Sequence, residues 1–251
     1  MNLFDITGKK AIVTGSAQGL SKGMAEGLLE AGAEVTIFDI SHNTEEVAAE
    51  FAAKGYKCHG IRVNIADKKE RERAFAKAVS IMEGLDILVN GAGVQRRNKA
   101  EEFPLDDWNF VIDVNLTAPF ALCQLAVKEF LKRGGGKIVN VASMLSFFGG
   151  YTVPAYAASK GGVAQITKAF CNELADKNIN INAIAPGYME TEMNTQLLND
   201  PDRYKEITAR IPAKRWGTPD DLKGIVVFLC SHASDYINGA IIPVDGGYLG
   251  R

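Results

Sequence analysis

Between Lys9 and Asp39 two short apolar runs are joined by a glycine-rich turn and a helix. Lys9-Lys-Ala-Ile-Val-Thr14 reads as a first strand. Thr14-Gly-Ser-Ala-Gln-Gly-Leu-Ser-Lys-Gly23 follows, then a helix through Met24, Leu28, Leu29 and Ala31 that Gly32 stops. Ala33 to Asp39 is a second strand. A strand, a tight turn, a helix and a second strand make one βαβ unit, and such units build parallel sheets covered by helices on both faces.

The turn is suited to a ligand as well as to a fold. Glycine lets a phosphate approach the backbone closely, and the helix start offers unpaired N–H groups and the positive end of a dipole. The spacing Gly15-x-x-x-Gly19-x-Ser21 is not G-x-G-x-x-G, and a ligand-free tight turn has the same composition. Asp39 ends the second strand about twenty residues past the turn, where a carboxylate accepts from the adenine ribose hydroxyls. It would repel a 2′-phosphate, and no arginine stands beside it in Phe38-Asp39-Ile40-Ser41. The expected cofactor is therefore NAD(H) rather than NADP(H). A helix-capping role for Asp39 competes with Ser41 and Asn43.

The alternation continues to the end of the chain. Helices are expected over 44–54, 66–83, 106–132, 155–177 and 219–230, and strands over 57–64, 84–90, 137–142, 178–185 and 240–244. The fold class that follows is a single-domain α/β structure over 1–251, a doubly wound parallel sheet with helices on both faces. The polar, broken helix over 190–211 makes 188–215 a candidate substrate lid within it. Gly91-Ala-Gly93 after the fourth strand would add to a cofactor wall, and Val94-Gln-Arg-Arg-Asn-Lys99 is a loop rich in positive charge. Asn115 lies in an otherwise apolar stretch, where a buried amide needs partners, and Pro119 is placed to bend that helix. Ser143 stands at the C-terminal end of the fifth strand, where sites of open α/β sheets gather.

Composition excludes several classes. Net charge is −2, which leaves no electrostatic footprint for nucleic acid or an anionic membrane. No apolar run looks long enough for the roughly 20 residues of a membrane span, and Met-Asn-Leu-Phe-Asp has no signal-peptide layout. Cys58, Cys123, Cys171 and Cys230 are scattered without a CxxC, as reduced structural thiols of a cytoplasmic protein would be. His42, His59 and His232 share no motif, so no metal site is expected.

Tyr156 and Lys160 are one helical turn apart on one face. An ammonium beside a phenol favours phenolate. Bringing a phenol from about 10 to about 7 takes roughly 4 kcal/mol, more than one surface ion pair supplies. A second positive charge, such as an oxidised nicotinamide, or a buried site has to help. Alone, YxxxK is an ordinary helical pair.

With Thr14-Gly-x-x-x-Gly19, Asn90-x-Ala-Gly93, Asn115, Ser143, Tyr156-x-x-x-Lys160 and Pro186-Gly187 in order, the chain resembles the short-chain dehydrogenase/reductase family over essentially its whole length. The resemblance implies that Tyr156 is the acid–base, Ser143 orients the substrate oxygen, and Lys160 holds the nicotinamide ribose and lowers the tyrosine pKa. It implies that Asn115 binds a relay water. Gly15, Gln18, Gly19, Leu20, Asn90 and Gly91 would line the cofactor, Asn64 and Ile65 the adenine, and Pro186, Gly187, Met189 and Thr191 the nicotinamide end. Two positions depart from the family pattern. Ser21 replaces a glycine, so the helix is expected to sit slightly farther out. Gly91 replaces an asparagine and is expected to loosen the wall. Ala142–Gly150, Ala185–Thr191 with Gln196 and Leu197, and Arg210–Gly217 are similar to the branch acting on sugar acids. That implies a hydroxy- or keto-hexonate from uronate breakdown, with Arg96 or Arg97 for its carboxylate and Met144, Tyr188 and Gln196 in the pocket. It implies a homotetramer, with Arg251 reaching toward a neighbouring subunit. Gluconate 5-dehydrogenation, 3-oxoacyl-thioester reduction and a non-catalytic NAD-binding regulator remain the alternatives.

Overall fold

The computed structural model describes residues 2–250, apart from the Met193 side chain; the expectation for Arg251 lies outside the described residues. The strands are β1 Lys10–Thr14, β2 Glu34–Asp39, β3 Cys58–Arg62, β4 Ile87–Asn90, β5 Gly136–Val141, β6 Ile179–Pro186 and β7 Ile241–Val244. The helices are α1 Gly19–Glu30, α2 Thr44–Ala53, α3 Lys68–Met82, α4 Leu105–Ile112, α5 Ala118–Arg133, α6 Pro154–Leu174, α7 Thr195–Leu198, α8 Pro201–Arg210 and α9 Lys223–Cys230. Every expected strand is present within a few residues. Among the described residues all seven strands are parallel, in the order β3-β2-β1-β4-β5-β6-β7. The order reverses between β1 and β4. In open α/β sheets a crevice opens at that point, beyond the C-terminal strand ends.

The pleat divides the core into two layers. Ala11 and Val13 of β1 pack with Val35 and Ile37 of β2 under α1, α2 and α9. Ile12, Phe38 and Leu88 face the other way, onto α3, α5 and Leu174 of α6. Strands buried on both faces read as continuous apolar runs, which is why the sequence shows them so clearly. The buried amides of β6 are paired. Asn180 Nδ2 donates to Asp235 O at 2.9 Å, and Asn182 accepts from Ala240 N at 3.0 Å, which moors the approach to β7.

The stretch expected as one helix over 106–132 is two helices with a wide π turn, Asp113–Thr117, between them. The cause is Pro119. It has no N–H, so the α-helical bond it would make to the Asn115 carbonyl cannot form. The turn widens instead, and Ala118 N bonds to Asp113 O. The combined segment Leu105–Arg133 also corrects the expectation that no stretch is apolar enough to cross a membrane. Its mean hydropathy reaches 1.6, with 44% of that window buried inside the fold. The buried part is the stripe Ala118, Leu122, Cys123, Ala126 and Phe130, which packs against the sheet.

Past β6 the chain builds a small cluster of its own. Ile207, Ile211 and Trp216 are its core, with Tyr188, Leu197, Tyr204 and Tyr248 packed around them. This holds α7 and α8 over the C-terminal end of the sheet.

Candidate active site

At the reversal, a cleft of about 780 Å³ runs from the glycine turn to α8. Its closed end rests on contact between two loops. Gly15 has φ +69°, and a Cβ there would lie 2.6 Å from Ala92 Cα, so only glycine fits. Thr14 Oγ1 accepts from Gly91 N and Ala92 N, both at 3.1 Å, and so ties β1 to β4. Gly19 also has positive φ, and a Cβ there would meet no atom within 4 Å. Gln18 makes no side-chain cap to α1, and no acidic residue occupies its first turn. An uncapped helix start behind backbone without side chains fits the pyrophosphate of a dinucleotide.

Asp39 lines the same cleft. Its Oδ2 accepts from Ala17 N at 3.0 Å and its Oδ1 from Ser41 N at 3.1 Å. The carboxylate therefore holds the turn as well as lining the cleft. Although no arginine is its sequence neighbour, the sheet supplies one. Arg62 lies opposite Asp39 in the β2–β3 register and donates from Nε to Ile40 O at 3.0 Å. Asn64 and Ile65 line the cleft just beyond β3.

The two departures from the family pattern turn out to be one feature. A Cβ at Gly91 would lie 2.9 Å from Thr14 O and 3.0 Å from Ser21 Cβ, and closer still to the Ser21 hydroxyl. Ser21 is buried. Its side chain fills the space that a residue at 91 would need. The wall is therefore not loosened by glycine at 91, as expected, but closed by Ser21. Asn90 is buried behind the wall rather than lining it. Its Nδ2 donates to Asn140 Oδ1 at 2.9 Å, and Asn140 donates on to Thr167 Oγ1 at 2.9 Å. The chain β4–β5–α6 is thus tied beneath the cleft floor.

On that floor Ser143, Tyr156 and Lys160 meet. Ser143 caps the short turn Met144–Ser146, with its Oγ accepting from Leu145 N at 3.2 Å. Ser146 Oγ donates to Lys160 O at 2.7 Å, which docks this turn on α6. Lys160 is 3% exposed; its Nζ donates to Val141 O at 2.6 Å and lies 5.6 Å from the Tyr156 ring centroid. Asn115 is 1% exposed. Its Oδ1 accepts from Val94 N at 2.8 Å, and its Nδ2 donates to Val94 O at 2.9 Å and Ser159 Oγ at 3.2 Å. The side chain is fully used in placing the loop after β4. What Asn115 can offer is its main-chain carbonyl, which Pro119 leaves without the usual donor.

The family model described as enoyl-(acyl carrier protein) reductase matches residues 15–249. The 2-dehydro-3-deoxy-D-gluconate 5-dehydrogenase of Dickeya dadantii is 47% identical, over 100% of this chain and 99% of its own. The 5-keto-D-gluconate 5-reductase of Escherichia coli is 42% identical, over 99% and 98%. A gluconate 5-dehydrogenase from Burkholderia cenocepacia, solved in complex with NADP and tartrate, superposes with a TM-score of 0.96 at 37% identity, covering 100% of this chain and 98% of that one. The chain belongs to the short-chain dehydrogenase/reductase family. It is an oxidoreductase.

For an enzyme of this family the charge state of the floor is decisive. Burial raises the Tyr156 phenol above its ordinary value, and the Ser143 hydroxyl beside it offsets only part of that. The expected lowering by Lys160 is absent because burial also pushes Lys160 down, to about 8, and its ammonium is engaged by Val141. The protein alone therefore keeps the phenol protonated. The thiols of Cys58, Cys123 and Cys230 are pushed up to about 12 by burial, so none is a nucleophile at neutral pH. Among the described residues no three His, Cys, Asp or Glu side chains gather.

Toward the open end, Arg97, Met144, Tyr188, Pro186, Gly187, Met189 and Thr191 line the cleft as expected. Arg96 does not. It pairs with Asp107 at 3.4 Å and stacks 4.6 Å over the Phe110 ring. Gln196 is exposed on α7 outside the cleft, and Asn194 and Leu197 take its place. Sequence reasoning missed Arg203 and Arg210, which also line it. Their signal was present: with Ile207 between them, they share one face of α8 two turns apart.

Two outcomes follow. Gly91→Asn should destabilise the fold by about 1–3 kcal/mol through overpacking, and adding Ser21→Gly should restore part of the loss, the contact with Thr14 O remaining. Urea unfolding of both variants and the pair measures it; strict additivity would refute the shared space. Lys160 binds fewer protons folded than unfolded between pH 8 and its ordinary 10.5, so its contribution improves as pH rises through that window. Relative to Lys160→Met, the wild type should gain about 3 kcal/mol between pH 7 and pH 10.5. A flat difference across that range would contradict the buried, depressed lysine.

Proposed function

We propose that this protein interconverts a secondary alcohol and a ketone on a small sugar acid, of the 2-keto-3-deoxygluconate or 2,5-diketo type, with NAD(H) as cofactor. The observation that carries the reading is one cleft with an uncapped helix start and Asp39 at one end and Ser143, Tyr156 and Lys160 on its floor. The relatives named above as sugar-acid dehydrogenases and reductases align along the whole chain, which supports the substrate class.

Gly15, Gln18, Gly19, Leu20 and Gly91 hold the dinucleotide in this reading. Asp39 takes its ribose, Asn64 and Ile65 its adenine, and Pro186, Gly187, Met189 and Thr191 its nicotinamide end. A nicotinamide held there would supply or take the hydride and, in its oxidised form, would add a positive charge to the site. In reduction the substrate carbonyl oxygen lies between the Ser143 and Tyr156 hydroxyls. Ser143 donates a hydrogen bond to it, and Tyr156 transfers its proton from Oη to that oxygen. The phenolate left behind is stabilised by the Lys160 ammonium, still mostly protonated at pH 7 with a pKa of about 8. The carbonyl of Asn115, which Pro119 deprives of its usual α-helical donor, holds the water that returns a proton through Lys160. A phenol raised by burial suits a proton donor, and the reverse direction draws on the positive charge of the oxidised cofactor. Arg97, Met144 and Tyr188 contact the substrate, and 188–215 closes over it.

Asp39 supports NAD(H) by charge repulsion of a 2′-phosphate. The Burkholderia cenocepacia relative carries NADP, and Arg62 beside Ile40 gives this chain a cation near the same point. NADPH is therefore expected as the slower cofactor rather than an inert one. A thioester reductase would need an apolar cleft, whereas Arg97, Arg203 and Arg210 rim this one. The reading includes a cytoplasmic homotetramer. Trp108, Phe110, Phe120 and Leu131 lie at least partly exposed on α4 and α5, where subunits would meet.

Steady-state oxidation of NADH with keto-hexonates, beside acetoacetyl thioester, tests the substrate class. Activity on the thioester alone would overturn it. Tyr156→Phe should lower kcat by about 10²–10⁴-fold while still binding NADH; near-normal turnover would remove Tyr156 as the proton donor. Asp39→Ala should raise the NADPH-to-NADH ratio of kcat/KM about tenfold, the equivalent of 1.4 kcal/mol. An unchanged ratio would end the role given to Asp39.

A further inference from the structure

The cleft carries more positive charge at its open end than hydride transfer requires. Arg97 enters from the loop after β4, and Arg203 and Arg210 enter from α8, against the single carboxylate Glu192 that lines this end. Among the described residues neither Arg97 nor Arg210 has a carboxylate partner, and the pair Arg203–Glu206 is open to solvent at 3.6 Å.

Arg210 is also the best positioned of the three. Tyr188 follows directly on Pro186-Gly187 at the end of β6. Its ring lies 5.2 Å from Trp216 and 5.5 Å from Tyr248, and Trp216 stacks on Tyr204 of α8 at 5.4 Å. Trp216 Nε1 donates to Thr208 Oγ1 at 3.0 Å, a second tie to the same helix. This cage fixes α8 against the end of β6. The Arg210 guanidinium lies 5.3 Å over the Tyr248 ring, a cation–π contact that aims the side chain while leaving its N–H fork free. Burial raises the Tyr188 phenol, and Arg210 and Arg203 pull it back, so both charges stand near that hydroxyl.

We propose that Arg210, helped by Arg203 on the same face of α8, is the clamp for the substrate carboxylate, and that this pair makes the enzyme choose sugar acids over neutral sugars. The inference rests on the sugar-acid reading above. With the ketone of a keto-hexonate between Ser143 and Tyr156, the carboxylate lies at the far end of the carbon chain. A guanidinium fork there binds it in two parallel hydrogen bonds, with the Tyr248 ring beneath it. The lid helix then does two things at once: it covers the substrate and recognises its charge. A neutral sugar leaves the guanidinium without its anion, and the lid gains nothing from closing on it.

The experiment compares 5-keto-D-gluconate with L-sorbose, the same carbon chain and ketone with a hydroxymethyl in place of the carboxylate. The wild type should favour the acid in kcat/KM. In Arg210→Gln that preference should fall at least tenfold, through a higher KM for the acid, with a larger fall when Arg203→Gln is added. Arg210→Lys should recover part of it. NADH affinity, read by fluorescence, should stay within twofold of wild type and shows that each variant is folded. A wild type with no preference for the acid would overturn the sugar-acid reading and the clamp with it. A wild-type preference that survives in the double variant would overturn the clamp alone. A fall of both substrates together, with the ratio kept, would mean that α8 is only structural, and would also overturn it.

Discussion

The site depends on the contact between the ends of β1 and β4. These strands are neighbours in the sheet but lie far apart in sequence, and the sheet changes direction between them. Thr14 Oγ1 takes the N–H groups of Gly91 and Ala92, and Gly15 lies against Ala92 with no room for a Cβ. The N-terminus of α1 is therefore held facing the cleft instead of being covered by the loop after β4. The same loop is pinned from its other side by Asn115, whose amide bonds to both backbone groups of Val94. The uncapped start of α1 at one end of the cleft and the Ser143, Tyr156 and Lys160 floor at the other are both tied to this short strand junction.

The floor shows a second constraint, in which burial and charge oppose each other. A lysine 3% exposed should not be there on stability grounds, since burial disfavours its charged form. It is tolerated because Val141 O accepts from it and because its partner is a tyrosine that stays neutral in the protein alone. The pair is poised for a negative charge that appears only when the phenol gives up its proton. An ammonium held there in advance stabilises that charge without having to reorganise. The stability given up by burying Lys160 is thus the counterpart of the function proposed for it.

Much of this was legible in the sequence, and the parts that were not share a cause. The strands, α1 and the glycine turn were readable because each is set by residues a few positions apart. Ser143, Tyr156 and Lys160 were singled out by the family resemblance, and the strand end and one helical turn explain why they meet on one floor. Three positions could not be read fully where a neighbour lay on another element. Gly91 looked like a loosened wall because the Ser21 side chain that fills it is on another element. Asp39 has no arginine beside it in sequence, and only the β2–β3 register showed that Arg62 lies opposite it, bonded to Ile40 O. Arg96 looked equivalent to Arg97, yet Asp107 and Phe110 on α4 draw it away. Asn90 and Gln196 failed in a simpler way: side chains one or two places along a strand or helix point to different sides, and nothing local said which side was the cleft.

The two arginines of α8 carry this one step further. Their spacing was visible, but it had meaning only once the aromatic cage showed which face of the helix turned inward. Tyr188 on the strand end, Trp216 beyond the helix and Tyr248 near the C-terminus are distant in sequence and meet at one point. By packing there they leave α8 a single orientation, with Ile207 buried and Arg203 and Arg210 toward the cleft. The residues proposed for hydride and proton transfer stand on the sheet and α6, while the recognition proposed here falls to a helix oriented by its aromatic packing. A change of substrate could therefore be reached by changing the face of α8, without disturbing the strand junction on which hydride and proton transfer depend.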